Sequence, residues 1–207
     1  VYQKVLALAN KEQRGYITPQ DFNLFANQAQ MEIFEQYFYD TNIARKGQGN
    51  DTVYADVDDV LEEKLQIFET VDTAFTTPAI NSYYPNVHGD MYRVHELRVG
   101  TQKAEILNTK DFNNCQSSGP LLRPTNARPV ANIRNSEISV ISGDNTAVVP
   151  TEIYYFRVPA RVNWTYVVVG EKALYNETAI DAQNFELHPS EETELVLKIL
   201  TLAGFTL

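Results

Sequence analysis

Three histidines, one cysteine and a cluster of acidic residues are the groups from which this 207-residue chain could build a reactive site. His88, His95 and His188 are not spaced as a metal pair on a helix, and none stands beside Cys115, so structural or surface roles are expected. His95 shares an extended segment with Arg93, Leu97 and Val99, which alternation puts on one face, opposite Tyr92, Val94 and Glu96; that is a mixed strand, not a ligand set. Asp56, Asp58, Asp59, Glu62 and Glu63 lack the EF-hand order and the glycine of its sharp turn. They read as the solvated start of a helix whose dipole favours acids there. Neither G-x-x-x-x-G-K nor G-x-G-x-x-G occurs, so no phosphate cradle is expected, and no G-x-S-x-G elbow marks a nucleophile. Cys115 has no partner in the chain for a disulfide. Carboxylates from distant segments could still pair, but nothing in the spacing supports hydrolysis. The residues therefore predict no catalytic group, no metal and no cofactor.

Bulk properties carry the reading further. At 43% hydrophobic and 21% charged, the composition is that of an ordinary globular protein. A chain of this length suits one domain or two small ones and can bury about 70% of its unfolded surface. The net charge is −10, which opposes broad, charge-driven nucleic-acid binding and leaves transient DNA contact as the expectation. Leu195 to Leu207, the most apolar stretch, is interrupted by Lys198 and falls short of the roughly 20 residues that span a bilayer, so no membrane partner is expected. Val1 to Ala9 lacks the apolar run and cleavage site of a secretory signal and reads as a helix. Charge is uneven along the chain. Glu32 to Asp72 holds 11 acidic and 3 basic residues, Met91 to Arg161 holds 6 and 9, and Glu171 to Glu194 holds 7 and 1. These are solvated faces of separate layers, or opposite signs that guide contacts between neighbours.

The elements that must position any surface begin with three helices. Tyr2, Val5, Leu6 and Ala9 fall at helical spacing, and Gly15 ends that element. Thr18-Pro19 supplies an N-cap hydroxyl followed by proline at the first helical position, and nothing then interrupts helix until about Lys46, a rod of about 42 Å. Gly47 to Asp51 breaks it, and a third helix is expected from about Asp56 to Thr70, paired with the second as a hairpin. On the long helix Phe22, Phe25, Ala26, Ala29, Ile33 and Tyr37 lie within roughly 60° of one another, the ordinary core stripe. Leu24, Met31, Phe34 and Phe38 lie almost opposite. Either the first or the C-terminal helix covers this second stripe, or another subunit does; these four residues are expected to form a subunit interface.

From Thr73 to His188 the pattern turns to strands. Met91 to Val99, Ala104 to Leu107, Val130 to Ile133, Glu137 to Ile141, Thr151 to Val158 and Trp164 to Val169 are rich in β-branched and aromatic residues. Ser142-Gly143-Asp144-Asn145 reads as a hairpin turn, Pro159 as a strand stop, and Asp111 to Pro129 as a surface excursion. Ser190 is placed to cap a last helix that Gly204 ends. The expected class is α+β: a helical region over 1–72, an antiparallel sandwich or barrel-like region over 73–188, and a C-terminal helix over 189–207 packing on the helical region.

Three segments carry a resemblance. Leu8-Ala-Asn-Lys-Glu-Gln-Arg-Gly-Tyr-Ile-Thr-Pro-Gln-Asp-Phe-Asn23 with its long helix, Tyr154-Tyr-Phe-Arg-Val-Pro159 followed by Asn163-Trp-Thr-Tyr166, and Phe185-Glu-Leu-His-Pro-Ser-Glu-Glu192 with Leu195-Val-Leu-Lys-Ile-Leu200 and Ala203-Gly204 together resemble structural proteins of tailed phages, particularly the short-tailed crAss-like group. The motifs are capping and packing patterns rather than reactive groups. The resemblance implies a ring, or adaptor, protein of the virion's head-to-tail connector. It implies about twelve copies around the DNA channel, with the portal protein and other tail and ring proteins as partners. In such proteins further residues usually follow the C-terminal helix. A heterologous interface closes into a ring when its rotation closes. A lumen poor in positive charge, not lined by Arg93, Arg98, Lys103, Arg123 and Arg128, would let DNA pass without sticking. A tail-hub or capsid-associated protein, or a glycan- or ligand-binding β module on a helical stalk motivated by Trp164 and the tyrosines, are the alternatives.

Overall fold

The computed structural model describes residues 1–11, 17–46, 52–79, 82–85, 90–119, 121–134, 137–143, 145–170, 172–176 and 178–205; His88 lies outside them. Among the described residues the helices are α1 (Tyr2–Lys11), α2 (Pro19–Lys46), α3 (Thr52–Gln66), α4 (Thr109–Ser117) and α5 (Glu192–Leu202), the last preceded by a 3-10 turn over Pro189–Glu191. With the sheets below they make an α+β fold. The chain divides into two units, one formed by Val1–Ile67 with Pro159–Leu207 and the other by Phe68–Val158. The expected boundary between 188 and 189 is thereby corrected, because the stretch after Pro159 belongs with the helices.

Among the described residues ten strands build the unit over Phe68–Val158: β1 (Glu69–Asp72), β2 (Phe75–Ala79), β3 (Ser82–Pro85), β4 (Met91–Val99), β5 (Gln102–Lys103), β6 (Glu105–Leu107), β7 (Val130–Arg134), β8 (Glu137–Ser142), β9 (Thr146–Ala147) and β10 (Glu152–Arg157). One sheet runs β1-β10-β4-β5 and the other β2-β3-β8-β7-β6, with β9 on β8. Leu97, Ile153 and Tyr155 of the first share a core with Ala131, Ile138 and Val140 of the second, so the sheets pack face to face as a sandwich. β1 occupies residues expected to finish the third helix; the β-branched pair Thr70-Val71 instead adds an edge to β10.

The sheets depart locally from plain antiparallel pairing. β6 and β7 are parallel, which a tight turn cannot provide, and the crossover runs through α4. Part of the expected excursion from Asp111 is therefore helix. Asn108 starts it, its side-chain oxygen accepting the Asp111 amide at 2.8 Å, and Phe112 anchors it beside Val130 and Ile141. In β4 the register with β10 steps from Glu96 to Val94, leaving His95 as the extra residue of a bulge. Val94 consequently packs against the same core as Leu97, where alternation alone puts them on opposite faces. Glu96 accepts hydrogen bonds from Lys103 Nζ (2.9 Å) and Arg98 Nε (2.6 Å), and the Lys103 bond, then the Arg98 bond, hold its carboxyl below the usual range. The expected turn after β8 is present, with Gly143 at φ 41° and the Thr146 amide donating to its carbonyl.

In the helical unit, Thr18 caps α2 as expected: its hydroxyl accepts the Asp21 amide at 3.1 Å and donates to the Asp21 carboxylate at 2.6 Å. α2 buries Phe22, Ala26, Ala29, Ile33 and Tyr37. Both α3 and α5 pack on it, and α5 also meets α1. At the start of the last helical stretch it is His188, not Ser190, that caps, its ring nitrogen accepting the Ser190 amide. Gly204 (φ 86°) ends α5 in a Schellman turn: its amide donates to the Thr201 carbonyl, the Phe205 amide to that of Leu200.

A row of amides fixes the returning chain to α2. Asn23, Asn27 and Gln30 sit at i, i+4 and i+7 and meet alternate residues of an extended segment. Asn27 donates to the Val162 carbonyl and accepts the Val162 amide, both at 2.8 Å, standing in for a neighbouring strand. Asn23 treats Trp164 the same way, at 3.2 and 2.8 Å. Gln30 donates to the Ala160 carbonyl at 2.9 Å and accepts the Glu186 amide at 3.1 Å. Asn27→Ala is expected to lose about 2 kcal/mol of unfolding free energy, because both backbone groups of Val162 are left without partners. Urea denaturation reads the loss, and an unchanged midpoint contradicts this role.

Candidate functional site

The four residues expected to face another subunit do not behave alike. Leu24 is 65% exposed, Met31 and Phe38 are half-buried, and Phe34 is fully buried within its own chain, meeting Phe38 edge-on at 5.1 Å between ring centres. Phe34 is therefore a core residue, and its place in the expected interface is corrected. The physical reason is that α2 has packed neighbours in both α3 and α5, so an apolar position away from the main stripe can still be covered internally. What stays open on the same rod are Leu24, Tyr39 (65%) and Ile43 (51%), the last two absent from the sequence-based set.

A second open apolar surface lies on a two-stranded ribbon of the same unit, β11 (Tyr166–Val169) and β12 (Lys172–Tyr175), paired only to each other among the described residues. Val167, Val168, Val169, Leu174 and Tyr175 are all exposed. Alternation puts Val168 on the face opposite Val167 and Val169, so both faces are apolar. The signal was available as three consecutive valines without a charge, closed by Gly170. Isolated ribbons are marginal in water, and unpaired apolar edges are surfaces that proteins usually cover.

Beside the ribbon lies a groove of about 660 Å³ lined by Tyr2, Leu6, Phe22, Trp164, Leu174 and Tyr175, with the amides of Gln3, Asn163, Gln183 and Asn184 at its margin. Such walls favour a neutral ligand that stacks and hydrogen-bonds. Much of that capacity is already engaged. Trp164 stacks on Tyr2 at 3.8 Å and lies near-parallel to Tyr166 and Tyr175 at 5.9 Å. Asn163 donates its amide to Asp181.

Titratable groups meet at one buried point in this unit. Lys64 on α3 pairs with the buried Glu191 at 2.5 Å and sits 5.6 Å above the Tyr37 ring centre. Burial pushes the Tyr37 hydroxyl well above the ordinary phenol range, and Glu191 and Glu194 push it further. A phenol held neutral against a closed ion pair has no proton to exchange near neutrality, and the cluster ties α3 to the start of α5. Elsewhere, His95 is exposed near Phe156, Cys115 is a half-buried free thiol, and Asp59, Glu62 and Glu63 are exposed along α3. The side chains of Asp56 and Asp58 lie outside the described residues. Among the described residues no three His, Cys, Asp or Glu side chains converge on a point that would hold a metal, and no helix is long and apolar enough to cross a membrane. No protein-family model matches the chain, and no curated protein matches it.

Proposed function

We propose that this chain is a virion structural subunit that self-associates into a ring of about twelve copies in the head-to-tail connector of a tailed phage, joining portal to tail around the DNA channel. Its work is assembly rather than catalysis. The observation that carries self-association is the apolar surface left open on one unit, Leu24, Tyr39 and Ile43 on α2 and five large side chains on the β11–β12 ribbon. Burying the remaining half of the five ribbon side chains gains about 5 kcal/mol, at the low end of the roughly 4–15 kcal/mol that association costs. The ribbon alone is too little, and the α2 face must contribute. The phage setting rests on the resemblance of the opening, the Tyr154–Tyr166 stretch and the C-terminal helix to connector proteins. The helical unit carries 18 acidic and 9 basic residues against 9 and 8 in the sandwich unit, which suits a conduit that must not hold DNA.

Electron microscopy of negatively stained, purified chain tests the reading: closed rings are expected, and a field of single copies contradicts it. The groove around Trp164 favours a second reading, a glycan-binding module, under which a monomer or trimer would bind sugars. With the indole already stacked on Tyr2, that reading has the weaker physical support.

A further inference from the structure

The chain carries two open patches of opposite charge, one on each unit, and neither is used by the surfaces above. The first is the loop from Gly119 to Pro129. Leu121 is 92% exposed and Leu122 54%, large values for leucines on a loop that is firmly held. Pro124 and Pro129 are buried, Thr125 and Arg128 exchange backbone hydrogen bonds, and the Ser142 hydroxyl donates to the Thr125 carbonyl at 3.2 Å. A fixed loop thus projects two leucines into solvent. The same loop carries Arg123 and Arg128, both exposed, and residues 112–136 hold no aspartate or glutamate.

The second patch is the outer side of α3. Val60 (50%) and Ile67 (39%) are exposed seven residues apart, Glu63 lies between them and Asp59 beside them. Lys64, the one cation of α3, is turned to Glu191 at 2.5 Å, so it does not neutralise this side. An apolar pair framed by arginines and an apolar pair framed by acids are complementary in both hydrophobicity and charge.

We infer that the Leu121-Leu122 knob of one copy docks on the Val60–Glu63–Ile67 side of α3 in the next copy, with Arg123 and Arg128 facing Asp59 and Glu63. The occupant is a second copy of this chain because both halves of the contact are present on one molecule and both are open in it. Such a contact is head-to-tail, the kind that propagates and closes into a ring. The inference rests on the self-association proposed above and names where one copy grips the next.

The test is sedimentation velocity on the full chain in four variants, with circular dichroism to verify the fold: L121D/L122D, R123E/R128E, D59K/E63K, and the combination of both charge reversals. L121D/L122D is expected to abolish assembly, each charge reversal to weaken it by about tenfold or more, and the combination to restore most of what either loses. High salt weakens the wild-type assembly in the same direction. Folded L121D/L122D that assembles like the wild type overturns the knob while leaving self-association intact, as does a combination no better than its parts. A wild-type chain that stays single at every concentration overturns both.

Discussion

Phe34→Ala is expected to lower the unfolding free energy by about 3–5 kcal/mol, and Phe34→Asp to leave the chain unfolded. The ring is fully buried, packs edge-on to Phe38, and belongs to the helix on which α3 and α5 both rest, so its removal opens a cavity in the interior. Leu24→Asp, at a 65% exposed position of the same rod, is expected to leave stability within about 0.5 kcal/mol and to weaken assembly instead. Urea denaturation and sedimentation of the two variants separate the roles. If Phe34→Asp folds and merely fails to assemble, the internal packing described for α2 is wrong.

Lys64→Met is expected to cost about 3 kcal/mol, because it leaves the Glu191 carboxylate, with only 8% of its side chain exposed, without its counter-charge. The Tyr37 ring loses the cation above it at the same time. Replacing both partners, as Lys64→Met with Glu191→Leu, is expected to recover most of the loss, since a matched apolar pair no longer buries a lone charge. A double-mutant cycle followed by thermal melting measures this. Additive losses would mean that the pair does not act as a unit.

Much of the fold was legible because its signals are local. Thr18-Pro19 starts α2 and Gly204 ends α5 through groups a few residues away, and the β-branched runs found their strands. The misses needed information that distance along the chain conceals. Asn23, Asn27 and Gln30 read as polar spacers on a helix, yet they draw the chain after Pro159 into the helical unit and so move the domain boundary. The bulge at His95 reverses the alternation from which the faces of β4 are read. The sequence leaves open whether a helix of the same chain or another subunit covers the second stripe, and spacing alone does not separate Phe34, which is buried, from Leu24, which is not. The α4 cap was visible at Asn108 and Asp111, but the glycine and prolines that follow drew attention to a loop. The open surfaces were only half legible: Leu24 was found, while Tyr39, Ile43 and the ribbon valines depend on what their neighbours fail to cover.

Sedimentation velocity of the unmodified chain over a wide concentration range, paired with hydrogen exchange, bears most directly on whether one copy needs others. A discrete heavy species of about twelve copies is expected, with the amides of β11 and β12 protected on assembly. A single-copy species at every concentration, with those amides exchanging freely, would contradict it.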